Sequence, residues 1–135
     1  MKIFSSDQIR EIDRKTIETE GVTSLQLIER VAEGVAVEVV SRLKANSRIA
    51  IFAGSGNNGA DALMAALMLY EQGYKPEVFL FNIGGDKLGK DCATCRDRLL
   101  AAFPEADFNT RLQESFSARI WQRSTSTTKS LTQDP

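Results

Sequence analysis

Histidine is missing from this 135-residue chain. That removes the side chain most often used as a proton shuttle near neutral pH, and the commonest zinc ligand. Any general acid or base must come from Asp, Glu, Lys, Tyr or water. Cysteine is scarce, with two residues, Cys92 and Cys95. They stand at Cys-x-x-Cys spacing, but late in the chain and with no second pair to complete a zinc site. We read them as two reduced thiols on one helical face, against a redox or metal pair. An excess of charge of one sign is missing too. The 17 Lys and Arg against 18 Asp and Glu leave a net charge of −1, which provides no basic footprint for nucleic acid or an anionic membrane. No apolar run approaches the roughly 18 residues of a membrane span, and no apolar segment follows Lys2 in the manner of a signal peptide. A cytoplasmic location is the expectation.

What is present is enough for one globular domain: 42% hydrophobic and 26% charged residues. Ser5-Ser6-Asp7 offers helix caps, followed by Ile9, Ile12 and Ile17 near one side of a helix that should stop at Gly21. Thr23 and Gln26 read as a capping box for a second helix, running to about Ala45. Its apolar set is Leu25, Ile28, Ala32, Val35, Ala36, Val39 and Leu43. Residues 48–53 are short, apolar on both faces and followed by glycine, as in a buried parallel strand. A helix over residues 62–72 closed by Gly73, then a strand over 77–81, completes a βαβ unit. A further helix is expected over Lys90–Phe103, and Ala106-Asp107-Phe108-Asn109 could begin a short strand. After about Leu112 the chain turns poor in apolar residues, and 113–135 reads as an atypical, disordered tail.

The loop Ala53–Asp61 carries the chemistry. Loops at the carboxyl ends of parallel strands are where open α/β sheets bind ligands. Gly54, Gly56 and Gly59 permit close backbone approach. Free N–H groups at the start of the next helix favour an anion such as phosphate. Asn57 and Asn58 supply amide donors and hard carbonyl oxygens. Asp61 at the helix start could cap, and could accept a hydrogen bond from a ligand hydroxyl; the helix dipole there would favour its ionised form. No Gly-Lys-Ser/Thr closes the loop, so it is not a Walker A loop. The string Gly54-Ser55-Gly56-Asn57-Asn58-Gly59 matches G-x-G-x-x-G only weakly as evidence. A plain tight turn is the competing reading for any such loop.

The whole string, Ala-Gly-x-Gly-Asn-Asn-Gly-x-Asp-Ala-Leu after a hydrophobic strand, resembles the signature of the NAD(P)H-hydrate epimerase family, the YjeF N-terminal domain. The opening Gln8–Arg14 and the segment Gly21–Arg30 look similar as well, so the likeness spans about residues 5–103. It implies an α/β, Rossmann-like three-layer fold with a parallel sheet and N-terminal helices. It implies interconversion of the R and S epimers of hydrated NADH and NADPH in nicotinamide nucleotide repair. By the same likeness the substrate would lie on Asn57, Asn58, Gly59, Ala60 and Asp61, with Asn58 a potassium ligand. A homodimer and a partner NAD(P)H-hydrate dehydratase are implied as partners. Ala60 stands where the family usually has glycine, which would crowd the ligand or strain the backbone if φ were positive. The family's later Asp-x-Leu/Phe-Gly-x-Gly segment, with its catalytic aspartate, finds no match. We therefore expect residues 1–112 to be the N-terminal part of such a domain with its second half incomplete, able to bind but not to catalyse.

Lys87, in a glycine-rich loop on the ligand side, is the one catalytic candidate; a solvated lysine is the plainer reading, for it and for neighbouring Asp86. Two rivals stand beside the epimerase. One is a non-catalytic nucleotide-binding or scaffold module of the same fold. The other is an ordinary nucleotide-binding dehydrogenase, which would want an acidic residue ending the second strand where Phe81-Asn82 stand.

Overall fold

The computed structural model of the protein describes residues 1–81 and 87–106. The order of elements is α1 (Ser6–Glu20), α2 (Ser24–Arg42), β1 (Ala50–Ala53), α3 (Asn57–Glu71), β2 (Glu77–Leu80), α4 (Lys90–Ala102) and a 3-10 turn, Pro104–Ala106. The expected tail 113–135, Asp86 and all but the first residue of the expected strand at 106–109 lie outside the described residues; Ala106 itself closes the 3-10 turn.

Local chemistry sets the helix ends. Ser5 caps α1 and Thr23 caps α2. Each side chain accepts from the backbone N–H three residues on, while Gln8 and Gln26 reach back to the capping N–H at 2.8 Å. Gly21 ends α1 in the left-handed region, φ 64°. Helix α2 ends at Arg42, short of the expected Ala45. Lys44 to Ser47 form a turn there, in which Lys44 N–H donates to Ser47 Oγ at 2.9 Å and Asn46 takes φ 65°. Short polar side chains that bond their own backbone compete with helix at such a site. Gly73 closes α3 at φ 90°, its N–H on Tyr70 O and the Tyr74 N–H on Leu69 O, both 3.0 Å.

Strands β1 and β2 pair in parallel, with Ile51 opposite Val78 and Ala53 opposite Leu80. Helix α3 is the hub: it crosses over the sheet and packs between α2 and α4. That is why it is apolar nearly all round, burying Ala60, Leu63, Met64, Ala65, Ala66, Leu67, Leu69 and Tyr70. Ile28 and Ala32 of α2 join its core from one side, Cys92, Cys95 and Leu99 of α4 from the other. Each buried leucine-sized side chain contributes about 1.5–3 kcal/mol.

Three expectations are corrected. Strand β1 is not buried on both faces: Ile51 and Ala53 join the core, but Phe52 is 55% exposed and stacks on Phe79 at 5.2 Å. Among the described residues the core lies to one side of the sheet, so the α/β class holds as helix on sheet, and the third layer is not among them. Helix α1 buries nothing, and Ile9 and Ile12 are about half exposed. In α2, Val35 is 46% exposed, because only one stripe of the helix faces α3. The two cysteines are free and buried on one face of α4, as expected.

Candidate functional site

Strand β1 ends at Ala53, and the chain turns through Gly54, Ser55 and Gly56 into α3. The helix begins at Asn57, five residues earlier than its apolar pattern suggests. Asn57, Asn58 and Gly59 are therefore its first turn, and Gly56 caps it without a side chain. The first backbone bond of the helix runs from Ala60 N–H to Gly56 O, 3.1 Å. Three N–H groups ahead of it, on residues 57 to 59, lie at the positive end of a 15-residue helix, with the exposed amides of Asn57 and Asn58 beside them. This is an arrangement for a phosphate or another anion.

The glycines differ in what they do. A Cβ on Gly59 would stand 1.8 Å from Gly54 O and 2.7 Å from Gly54 C, so the loop folds against the helix only because that position has no side chain. A Cβ on Gly54 or Gly56 would meet nothing within 4 Å. Ala60 raises no strain: the only non-glycine residue with positive φ among the described residues is Asn46, and the Ala60 methyl is fully buried in the core. It packs the helix down rather than facing the opening. The loop is further pinned by α4. Gly89 N–H donates to Ser55 O at 2.9 Å, and the Cys92 thiol donates to Gly54 O at 3.5 Å.

Asp61 does not cap. It lies in the second turn of α3, half-buried, on a cavity of about 150 Å³ that it lines with Asp13, Ser24, Asn57 and Asp91 over an apolar wall of Ile17, Leu27, Ile28 and Val31. Burial, and then the charge of Asp13, push the Asp61 carboxyl above its ordinary range. This reverses the expectation that the helix dipole would favour its ionised form: a second-turn position is too deep for the dipole to offset desolvation beside a like charge. Lys87 is exposed and is not among the residues lining this cavity.

Sequence reasoning missed Asp13, Asp91, Gly89 and Cys92. Asp91, in the first turn of the helix after β2, follows the rule that sites gather at the carboxyl ends of parallel strands. Asp13 carries no such signal, because only tertiary packing brings α1 to the loop. Burial pushes the Cys95 thiol up to about 11, and Cys92 upward as well, so neither is a ready nucleophile. Among the described residues no group of three or more acidic or sulfur side chains could hold a metal ion. No described helix is long and apolar enough to cross a membrane.

Comparison with known proteins finds relatives of this chain. An NAD(P)H-hydrate epimerase of Limosilactobacillus reuteri is 39% identical over 87 residues, 64% of this chain and 40% of its own length. A bifunctional NAD(P)H-hydrate repair enzyme Nnr of Archaeoglobus fulgidus is 36% identical over 105 residues, 77% of this chain and 21% of its own. The chain thus spans less than half the length of either relative. The crystal structure of yeast ynu0 superposes with a TM-score of 0.56 at 29% identity, over 76% of this chain and 45% of the yeast chain. Residues 24–117 match the family described as YjeF-related protein N-terminus. With the Gly54–Asp61 turn, the helix it opens and the parallel strand pair all inside that match, the chain belongs to the YjeF-related protein N-terminus family.

Proposed function

We propose that this chain forms the ligand-binding part of an NAD(P)H-hydrate epimerase, which interconverts the R and S epimers of hydrated NADH and NADPH. The observation that carries the reading is the first turn of α3. Its N–H groups on residues 57 to 59 suit a nucleotide phosphate, and one turn away the half-buried Asp61 suits a hydroxyl. Relatives named as epimerases and as bifunctional repair enzymes support it. In this reading Asn57, Asn58 and Gly59 contribute chiefly backbone and amide groups, Ala60 packs the turn from behind, and Asp61 accepts from the ligand hydroxyl. A potassium ion would use the exposed carboxamide oxygen of Asn58, a hard neutral donor that suits it. The ion would offset phosphate charge there. Lys87 remains the candidate for proton transfer, exposed two residues before the Gly89 that touches the loop. A cytoplasmic location, a homodimer, a dehydratase partner and the 1–112 boundary belong to the same proposal.

Calorimetry tests the binding. Hydrated NADPH is expected to bind the purified chain, and Asp61→Ala is expected to remove that binding. Equal affinity in the two proteins would reject the site. A coupled assay with an S-specific dehydratase, starting from the R form, reads whether epimer exchange accompanies binding.

A further inference from the structure

Helix α1 buries no residue, yet it brings two side chains to the cavity beside the loop, Asp13 and Ile17. The cavity changes character along its length. At the start of α3 it meets Asn57, the first residue of the helix, at the end whose dipole favours anions. One turn deeper it meets carboxyl groups from three helices, which repel them: Asp13 of α1, Asp61 of α3 and Asp91 of α4. Helix α2 contributes only Ser24 and apolar side chains. A ligand with a phosphate and a neutral hydroxylated part has one way round in such a space. Its phosphate goes to the helix end and its hydroxyl goes to the carboxyl groups.

We propose that Asp13 is a positioning residue of this site: across the cavity that it shares with Asp61, it acts through that carboxyl group on how the ligand hydroxyl is held. The proposal rests on the ligand reading above and extends it to a helix that reading does not use. The charge of the exposed Asp13 opposes a second charge on the half-buried Asp61 at the same cavity. The groups facing Asp61 are Asp13 from α1, the Cys95 thiol and Asp91 from α4, and from α2 only Ser24 and the apolar wall. Burial and Asp13 both hold the Asp61 proton on. Ligand affinity should therefore fall on the acid side as Asp61 takes up its proton, and Asp13 should set where that fall lies.

The test uses the full chain with Asp13→Asn and Asp13→Glu. Asp13 is exposed, so neither variant disturbs the core. Carbon-13 NMR of the carboxyl groups follows Asp61 directly, and calorimetry follows the affinity for hydrated NADPH across the same pH range. Asp13→Asn is expected to lower the Asp61 midpoint and to move the acid limb of binding down with it, while Asp13→Glu keeps both near wild type. An Asp61 midpoint unchanged in Asp13→Asn overturns the proposal and leaves the ligand reading standing. A lowered midpoint with no binding of hydrated NADPH at any pH overturns both. A lowered midpoint with an unmoved acid limb shows that Asp13 touches Asp61 without positioning the ligand, which also overturns it.

Discussion

At the scale of single residues, the tightest constraint is Gly59. A methyl group there would overlap the Gly54 carbonyl at 1.8 Å, and its nearest neighbours are all Gly54 backbone atoms, which cannot swing aside. Gly59→Ala is expected to cost about 1–3 kcal/mol, the range for overpacking, and to open the loop. Gly34→Ala is the control: it lies inside α2 with open space around it, so it should gain about 0.5–1 kcal/mol from helix propensity. Urea denaturation of both variants reads the two signs, and a Gly59→Ala protein as stable as wild type would refute the close approach. Cys92 and Cys95 are buried with raised thiol pKa values. Both should resist alkylation in the native chain at pH 8 and react at once in urea; fast native labelling would show the α4 contact to be open.

Among the elements, α1 and α2 share one capping device and differ in what it supports. Both open with a capping box, yet α1 buries no side chain while α2 buries Ile28, Ala32 and Ala36. Ser5→Ala and Thr23→Ala each remove a cap worth about 1 kcal/mol to its own helix. Thr23→Ala should lower global stability by about that amount. Ser5→Ala should fray α1, visible as faster amide exchange over residues 6–20, and leave the global midpoint nearly unmoved. Equal loss in both variants would mean that α1 is coupled to the core more firmly than its packing indicates. Salt bridges do not alter this expectation. Those within α1, such as Arg14 with Glu11 and Glu18, and the Arg30–Glu20 pair that ties α2 to α1, are about half exposed, a setting in which such pairs contribute little.

For the molecule as a whole, the proposed site and the stability of the fold pull against each other at Asp61. Its folded-state pKa is raised by burial and then by Asp13. A carboxyl raised on folding favours the native state while protonated, and that advantage is lost as pH rises through the folded value. The native chain therefore bears a penalty at neutral pH that is absent in acid. Asp61→Asn should raise the thermal midpoint at pH 7 and leave it unchanged near about pH 3, where Asp61 is already protonated, while weakening binding of the hydrated nucleotide. A midpoint that rises equally at both pH values would point to packing rather than charge. Functional sites commonly carry such a cost.

The sequence by itself determined the elements and the loop. Capping boxes at Ser5 and Thr23, glycines at Gly21 and Gly73, and two short apolar runs specify local structure through hydrogen bonds within a few residues of each other, which is why α1, α2, the strands and α4 were legible. The loop string was legible because glycine at position 59 and the paired asparagines are local requirements of one turn. Tertiary structure decided what these elements meet. The apolar periodicity of Ile9 and Ile12 describes a face without saying whether anything covers it, and in α1 nothing among the described residues buries it. The start of α3 moved back to Asn57 because a polar first turn can be helical once Gly54 folds against it. The ionisation of Asp61 was misread from the helix dipole alone, since burial and a carboxylate 48 residues away in the chain outweigh it. Charge and desolvation act through space, and no spacing in the sequence records which distant helix will supply them.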